Sequence, residues 1–261
     1  MNPIESRSND KFKTWQSLNS SKGIKKEGLF LLCGEKLVHE YLRLPSLEFS
    51  VELVPRGKVP LSKDRKNIFE LPKELFAEID ELGTHHNIFV LKTPTIPLWT
   101  PEPAEPTKND SLEPSPKNSD LRAAFLEVFC PLGDPTNVGA ILRNAEGFGA
   151  NAVILTEEAA NPFLPKAVKA SAGSVLRVPL KKGPSLAHLP KGLIVLDSKG
   201  TPLQKFQWPK RTQLLVGEEG PGLANYSCGI SVSIPTLGVE SLNASVAVGI
   251  ALYDRYSKLG Q

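Results

Sequence analysis

Two apolar runs in the second half of the chain each end in a glycine-containing loop. The first covers residues 214–216 and leads into Gly217, and the second ends at Ile234 before a loop that continues to residue 245. Short apolar runs bounded by glycine and proline predict buried strands. Ligands bind at the carboxyl ends of strands in open α/β sheets, so these loops predict a ligand site at one edge of a parallel sheet.

The residue types of the first loop favour recognition by main-chain groups. Gly217, Gly220 and Gly222 permit close backbone approach to a ligand, and Pro221 stiffens the loop between them. In the second loop, Ser241 is predicted to cap a helix that begins at the next residue. Main-chain N–H and C=O groups are therefore expected to provide most of the binding contacts.

Three ordered motifs carry a resemblance to a known family. The chain has Gly217-Glu-Glu-Gly-Pro-Gly, then Ile234-Pro-Thr-Leu-Gly-Val-Glu-Ser-Leu-Asn-Ala-Ser, and upstream Asn137-Val-Gly-Ala-Ile-Leu-Arg-Asn-Ala. Together they resemble the motifs of the SpoU (TrmH-like) family of RNA ribose 2′-O-methyltransferases in the SPOUT superfamily. The resemblance implies an α/β fold with a knotted SPOUT-type parallel-sheet catalytic domain and a smaller N-terminal α/β RNA-binding domain.

The resemblance also implies a cofactor and a set of site residues. The cofactor is S-adenosyl-L-methionine, and the positions that match the family's cofactor contacts are Gly217, Ile234 and Leu242. The positions that match its catalytic residues are Asn137, Arg143, Glu219 and Asn243. Arginine stays protonated at any working pH, so Arg143 is expected to hold a phosphate and stabilise the forming alkoxide rather than act as a base.

Composition divides the chain into three parts. Residues 1–93 alternate predicted helices and strands in an order similar to the family's RNA substrate-binding domain, and residues 120–261 hold all three motifs. Between them, residues 94–119 contain seven prolines and few large apolar residues, which is typical of an extended linker. Such a linker is expected to let the first domain swing over a large substrate, with Trp99 as the one residue able to anchor it.

The charge distribution indicates an RNA partner. Residues 1–27 hold six basic and three acidic side chains, which equals the net charge of +3 of the whole chain. A basic segment neutralises phosphates, and Trp15 within it either stacks on a base or is a buried aromatic residue. The additional N-terminal domain and the basic segment suit a large structured target, which favours ribosomal RNA over transfer RNA.

The last predicted helix, residues 241–258, bears on oligomeric state. Its large apolar residues, Leu242, Val246, Ile250 and Tyr253, are predicted to face inward. Small residues on the same helix permit close packing against the sheet or a second subunit. The family resemblance implies a homodimer formed through residues 120–261.

Other patterns favour a cytoplasmic chain without metal. The chain lacks a run of 18 apolar residues and an apolar N-terminal segment, so no membrane span or signal peptide is predicted. Three dispersed cysteines fit neither a disulfide framework nor a zinc site, and the adjacent His85 and His86 are more typical of a strand edge than of a metal site.

Three alternatives to an rRNA methyltransferase remain open at this point. They are a tRNA ribose methyltransferase, a non-catalytic RNA-binding assembly factor that kept the fold, and a dinucleotide-dependent enzyme. The third is disfavoured because the glycines of residues 147–152 end a predicted helix and precede a strand, the reverse of the required order.

Overall fold

The structure is a computed structural model, and it describes residues 1–43, 49–62, 67–101, 124–217 and 229–260. These residues form two β-sheets flanked by helices. The N-terminal sheet has five strands and the C-terminal sheet has six. Each sheet is therefore described with the helices that cover it.

The N-terminal sheet mixes parallel and antiparallel pairs in the order β1-β4-β3-β5-β2. The β2 strand is antiparallel to β5, which is antiparallel to β3, and β4 is parallel to both β3 and β1. The strands are β1 (Asn2–Pro3), β2 (Leu29–Leu32), β3 (Phe49–Pro55), β4 (Ile68–Leu71) and β5 (Ile88–Lys92), and the helices are α1 (Asp10–Ser17), α2 (Ser21–Glu27), α3 (Glu35–Leu42) and α4 (Lys73–Ile79).

The C-terminal sheet is parallel throughout, in the order β11-β9-β10-β6-β7-β8. Its strands are β6 (Leu126–Cys130), β7 (Ala152–Leu155), β8 (Leu180–Lys182), β9 (Ile194–Pro202), β10 (Thr212–Leu215) and β11 (Ile230–Ser233), and its helices are α5 (Pro135–Gly147), α6 (Pro165–Ala170) and α7 (Ala244–Leu259). The predicted α/β class with a parallel sheet is confirmed. The knot stays a prediction, because residues 218–228, between β10 and β11, lie outside the described ranges.

The sequence predicts a helix over residues 159–172 and a strand over residues 175–178, and the structure differs from both. The α6 helix ends at Ala170, and Ala172 and Gly173 then adopt positive φ values of 47° and 84°. Residues 174–176 form a single 3-10 turn, in which the Ser171 Oγ accepts from the Val175 N–H at 3.4 Å. Because Val175 and Leu176 belong to this turn rather than to a strand, β8 begins only at Leu180.

The α7 helix faces opposite to the prediction. Val246, Ile250 and Tyr253 are exposed, whereas the buried residues of the helix are Ala244, Val248, Ala251, Leu252 and Arg255. The small residues permit close packing on α5, where a Cβ built on Gly249 would lie 3.3 Å from the Asn144 amide nitrogen. In the parts of the chain that the structure describes, α7 is the longest helix, and none is long and apolar enough to cross a membrane.

The two sheets share one hydrophobic core. Residues of β2, α3 and β5 cluster with those of the C-terminal sheet, and the rings of Phe30 and Phe163 lie 5.0 Å apart. On α3, Leu37 approaches Gly173, whose added Cβ would lie 3.3 Å from the leucine side chain. The two sheets are therefore packed together rather than separated by the linker, and movement of the first domain would expose this shared apolar surface to water.

The first residues of the predicted linker are attached to the C-terminal sheet. The Lys182 N–H donates to the Pro97 carbonyl at 2.8 Å, and the Trp99 N–H donates to the Lys182 carbonyl at 2.7 Å. The Trp99 indole donates to the buried carboxylate of Glu127 at 3.2 Å and packs edge-on against Phe129. Trp99 therefore anchors this segment beside β8, while residues 102–123 lie outside the described residues.

The basic N-terminal segment is folded rather than an extended arm. Trp15 is 3% exposed and packs on Phe69, with ring centroids 5.1 Å apart, so the alternative in which it stacks on an RNA base is wrong. Arg7 pairs with Glu78 at 2.6 Å. The lysines at positions 22 and 25 are exposed on α2 and remain accessible to a partner.

Candidate functional site

Three of the predicted site residues lie near the carboxyl edge of the C-terminal sheet. Gly217 follows the end of β10, Ile234 directly follows β11, and Asn137 lies in the first turn of α5, the helix that follows β6. Because β6 and β10 are parallel neighbours and β11 belongs to the same parallel sheet, the ends of these strands share one edge. The local reason for α5 is clear, since the Asp134 side chain accepts from the Asn137 N–H and Pro135 occupies the first turn.

A side-chain hydrogen bond connects two of the predicted catalytic residues. The Nδ2 of Asn243 donates to the Oδ1 of Asn137 at 3.1 Å, and the two residues are 106 positions apart in the sequence. The Oδ1 of Asn243 accepts from the N–H of Ser245 at 2.9 Å and from its hydroxyl at 2.6 Å. Asn243 is therefore the N-cap of α7, and the prediction that Ser241 caps this helix is wrong, because the helix begins two residues later.

Asn144 contributes a second contact between α5 and α7 that sequence reasoning missed. Its Nδ2 donates to the Ser245 carbonyl at 2.8 Å. The signal was present, because Asn144 follows Asn137 by seven residues, which is about two helical turns and places both amides on the same face. Together the two asparagines hold the first turn of α7 against α5.

Arg143 points away from the hydrogen-bonded asparagine pair, Asn137 and Asn243. Its position on α5 is six residues after Asn137, which rotates it by about 120° from that side chain, and it is exposed. The predicted catalytic arginine is thus able to reach a ligand that approaches from solvent. Glu219, the fourth predicted catalytic residue, lies outside the described residues.

The predicted cofactor positions are half-buried and carry no charged side chain. Gly217, Ile234 and Leu242 are each of intermediate burial, and Ile234 packs against the main core. A Cβ built on Gly217 would lie 3.2 Å from the Leu196 carbonyl oxygen, so the backbone runs close to the third residue of β9. These three residues offer main-chain and aliphatic groups and no charge, as the sequence predicted for recognition by the backbone.

Comparison with protein families decides the class. A model described as the SpoU rRNA Methylase family matches residues 126–253, from the first residue of β6 to the third turn of α7. This range contains all three motifs and the asparagine pair. The chain belongs to the SpoU methylase family.

The similarity of this SpoU methylase to curated relatives extends beyond the three motifs. It is 26% identical to the 23S rRNA (guanosine(2553)-2′-O)-methyltransferase RlmP of Bacillus subtilis, over 97% of this chain and 98% of that protein. It is 36% identical to Ribosomal RNA small subunit methyltransferase G 2 of Syntrophobacter fumaroxidans, over 96% of this chain. The chain spans only 48% of the length of the Syntrophobacter protein.

Solved structures confirm the fold over nearly the whole chain. The SpoU methyltransferase AviRb from Streptomyces viridochromogenes, in complex with the cofactor AdoMet, aligns with a TM-score of 0.71 and 25% identity, over 96% of this chain and 98% of that one. An AdoMet-bound rRNA methyltransferase from Sinorhizobium meliloti also aligns with a TM-score of 0.71, at 21% identity over 99% of this chain. The likeness includes the N-terminal sheet as well as the SpoU methylase sheet.

An ion pair steadies the solvent side of α5 in this SpoU methylase. The guanidinium of Arg177 donates to both carboxylate oxygens of Glu146, at 2.6 and 2.9 Å. This hydrogen bonding lowers the pKa of Glu146, although partial burial acts in the opposite direction. The pair connects α5 to the turn after α6, and it was not predicted because residue 177 was assigned to a strand.

The asparagine pair yields a prediction that separates stability from catalysis. Asn243→Asp keeps the oxygen that caps α7 but removes the donor to Asn137, so we expect normal thermal stability and a loss of methyl transfer of about tenfold or more. Asn243→Ala removes both contacts and should also lower the free energy of unfolding by about 1 kcal/mol. Thermal melts and single-turnover rates of the two variants check this, and full activity in Asn243→Asp would contradict it.

Proposed function

We propose that this chain transfers a methyl group from S-adenosyl-L-methionine to a ribose 2′-hydroxyl of ribosomal RNA. The observation that carries the proposal is the hydrogen bond between Asn137 and Asn243, since it joins the first and third family motifs at the carboxyl edge of the parallel sheet. The names of the similar Bacillus protein and of the AdoMet-bound AviRb structure support the substrate class and the cofactor.

The cofactor positions suit a sulfonium ligand. When bound, S-adenosyl-L-methionine supplies an electrophilic methyl group on a positively charged sulfur. That charge is neutralised as the methyl group moves, so a carboxylate placed against it would stabilise the ground state more than the transition state. Gly217, Ile234 and Leu242 instead present backbone and aliphatic groups, and these residues fit such a ligand.

Arg143 acts on the RNA side of the reaction. We assign it the role of binding a phosphate of the target nucleotide and stabilising the negative charge that develops on the ribose oxygen. Its exposed position on α5 leaves the guanidinium accessible to RNA. Asn137 and Asn243 orient the loop before α7, and we assign Glu219 a positioning role in the loop after β10.

We propose different roles for the N-terminal and C-terminal regions of the chain. We propose that residues 1–93 bind the RNA substrate, that residues 94–119 connect, and that residues 120–261 form the methyltransferase domain. The exposed Lys22 and Lys25 of α2 support the first assignment, because they place positive charge on the surface of this region. Ribosomal RNA as a substrate places the reaction in the cytoplasm.

Charge removal on α2 should weaken RNA binding and its salt dependence. Lys22→Gln with Lys25→Gln is expected to lower affinity and to reduce the slope of log affinity against log salt by roughly 0.7 to 0.9 for each phosphate that the protein no longer neutralises. Lys191→Gln with Lys205→Gln, two exposed lysines of the C-terminal region, is the charge-matched control. Titration of target RNA at several salt concentrations measures both slopes, and parallel lines for both variants would contradict the assignment.

A homodimer completes the proposal. The outward face of α7 presents apolar side chains at Val246, Ile250, Tyr253 and Tyr256, which are 39–63% exposed. A contiguous apolar face of this kind on one helix typically marks a protein interface. It lies on the same helix as the cap residue Asn243, so a second copy seated there would stand close to the active site.

Disruption of this face should produce monomers. We expect the full-length protein to have twice the monomer mass by light scattering at micromolar concentration, and Ile250→Glu to have the mass of one chain because it would bury a charge in the interface. Leu98→Glu, an exposed apolar residue beside β8, is the control and should leave the dimer intact. A wild-type monomer that methylates RNA would refute the dimer.

The decisive experiment for the function compares RNA from cells with and without the gene. A single 2′-O-methyl site in rRNA should disappear in the deletion strain, and the purified protein with S-adenosyl-L-methionine should restore it on the isolated RNA. Loss of a site in tRNA instead would favour the tRNA alternative. No lost site, together with no cofactor binding by calorimetry, would favour an assembly factor without catalysis.

A further inference from the structure

Three side chains of types that bind metals meet between α3 and the turn before β5. They are Glu35, His39 and His86, and one potential ligand atom from each lies within 4.8 Å of the others. The Nε2 of His86 is 3.8 Å from the Oε1 of Glu35, and the rings of the two histidines lie 5.8 Å apart. Nothing in the proposed methyl transfer uses these residues.

The local structure explains why the three meet. Glu35 and His39 are four residues apart on α3, which places them one above the other on the same helix face. His86 follows His85, whose φ is 52° and whose N–H donates to the buried carboxylate of Asp80 at 2.7 Å. This strained, hydrogen-bonded turn presents the His86 ring to α3.

The His86 side chain is mostly buried and makes few polar contacts. Its side chain is 20% exposed, and its Nδ1 is buried without a hydrogen-bond partner among the described residues. A contact of 3.8 Å with an exposed glutamate gives little stabilisation by itself. The His86 Nε2, which faces Glu35, is therefore only weakly paired and is available to a metal ion, whereas the unpartnered Nδ1 of the same ring would not contact that ion.

We propose that Glu35, His39 and His86 bind a divalent transition metal ion, with Zn²⁺ as the representative ion. Two imidazoles and one carboxylate are the ligand types that zinc accepts, whereas Mg²⁺ and Ca²⁺ prefer oxygen ligands only. Tetrahedral ligand atoms around zinc lie about 3.3 Å apart, so small side-chain rotations close the site. The fourth position is left to water.

The bound ion would connect two segments that are distant in the sequence. It would fasten the α3 helix to the turn before β5, and the same helix contacts the C-terminal region through Leu37. Binding to the folded state only would raise the melting temperature with metal concentration. The role of the site is therefore to stabilise the helix that lies between the two sheets.

The chain supplies its own controls for a binding experiment, because it has only four histidines. Two belong to the site, and the other two are His85 and His188. Thiol binding is a minor concern for the described cysteines, since Cys33 and Cys130 are buried and burial raises the pKa of both thiols, that of Cys130 to about 12. A Cys228→Ser background removes the third thiol.

Titration of ZnCl₂ into metal-free, untagged full-length protein tests the proposal by calorimetry and by thermal melting. We expect one ion per chain and a melting temperature that rises on binding. His39→Gln, His86→Gln and Glu35→Gln should each weaken binding by about tenfold or more, because each removes one of three ligands. His85→Asn and His188→Gln should bind as the wild type does, and asparagine tolerates the positive φ of position 85.

Two results would overturn the site. One is the absence of saturable zinc binding at micromolar concentrations in the wild type. The other is unchanged affinity when His39 and His86 are both replaced by glutamine. His39 is exposed, so His39→Gln should not affect folding and gives a readout even if substitution at the more buried His86 destabilises the protein.

Discussion

Replacement of Arg143 by alanine is expected to lower kcat for methyl transfer by at least about a hundredfold, which is typical of losing a charged group that stabilises a developing oxyanion. The affinity for S-adenosyl-L-methionine should change little, because Arg143 points to solvent on α5 and the proposed cofactor positions follow β10 and β11. Single-turnover kinetics and calorimetric titration with cofactor measure the two effects separately.

The chemistry of the side chain provides a stricter test. Arg143→Lys keeps the charge but loses the bidentate geometry that suits a phosphate, so it should also be strongly impaired. Arg211→Ala is a matched control, because Arg211 precedes β10 and therefore lies at the opposite edge of the sheet, where it stacks on Phe125. Near-wild-type rates for either Arg143 variant would remove it from the mechanism.

Replacement of Gly139 by alanine is expected to lower the free energy of unfolding by about 1–3 kcal/mol, the usual range for overpacking a tight interface. Gly139 lies within the first family motif, yet its position concerns packing. An added Cβ would meet the Ala167 carbonyl oxygen and lie 2.7 Å from the Ala170 Cβ and 2.9 Å from the Ser171 nitrogen. The contacts are mostly backbone of α6 and its C-terminus, so relief requires the two helices to move apart.

Gly147 provides the control on the same helix. A Cβ there would meet nothing within 4 Å, and Gly147→Ala should leave stability unchanged or raise it by about 0.5–1 kcal/mol, because alanine favours a helix over glycine. Chemical denaturation of the two variants measures the difference. Equal stability would show that α5 and α6 tolerate separation, and would contradict the packing role of Gly139.

The sequence predicted most of the elements because their signals are local. In the sequence, Asp134 and Pro135 predict the start of α5, and the apolar residues from Val138 to Ala145 predict its buried stripe. These signals, the short apolar runs of the parallel strands and the alternation of elements in residues 1–93 depend on neighbouring residues, and the predictions are confirmed. The prediction for the segment after α6 was wrong, also for a local reason. Positive φ values at Ala172 and Gly173 divert the chain into a turn, and an apolar run alone does not reveal this.

The motifs by themselves determined the family and the class of sheet, because order and spacing along the chain suffice for these, and they predict the edge at which a ligand binds. Only the tertiary structure decided which face of α7 is buried, that Trp15 lies in a core, and that His86 stands beside α3. Each of these depends on contacts between residues far apart in the sequence. Helical periodicity identifies a face, but the partner that buries it is supplied by the packing of distant segments.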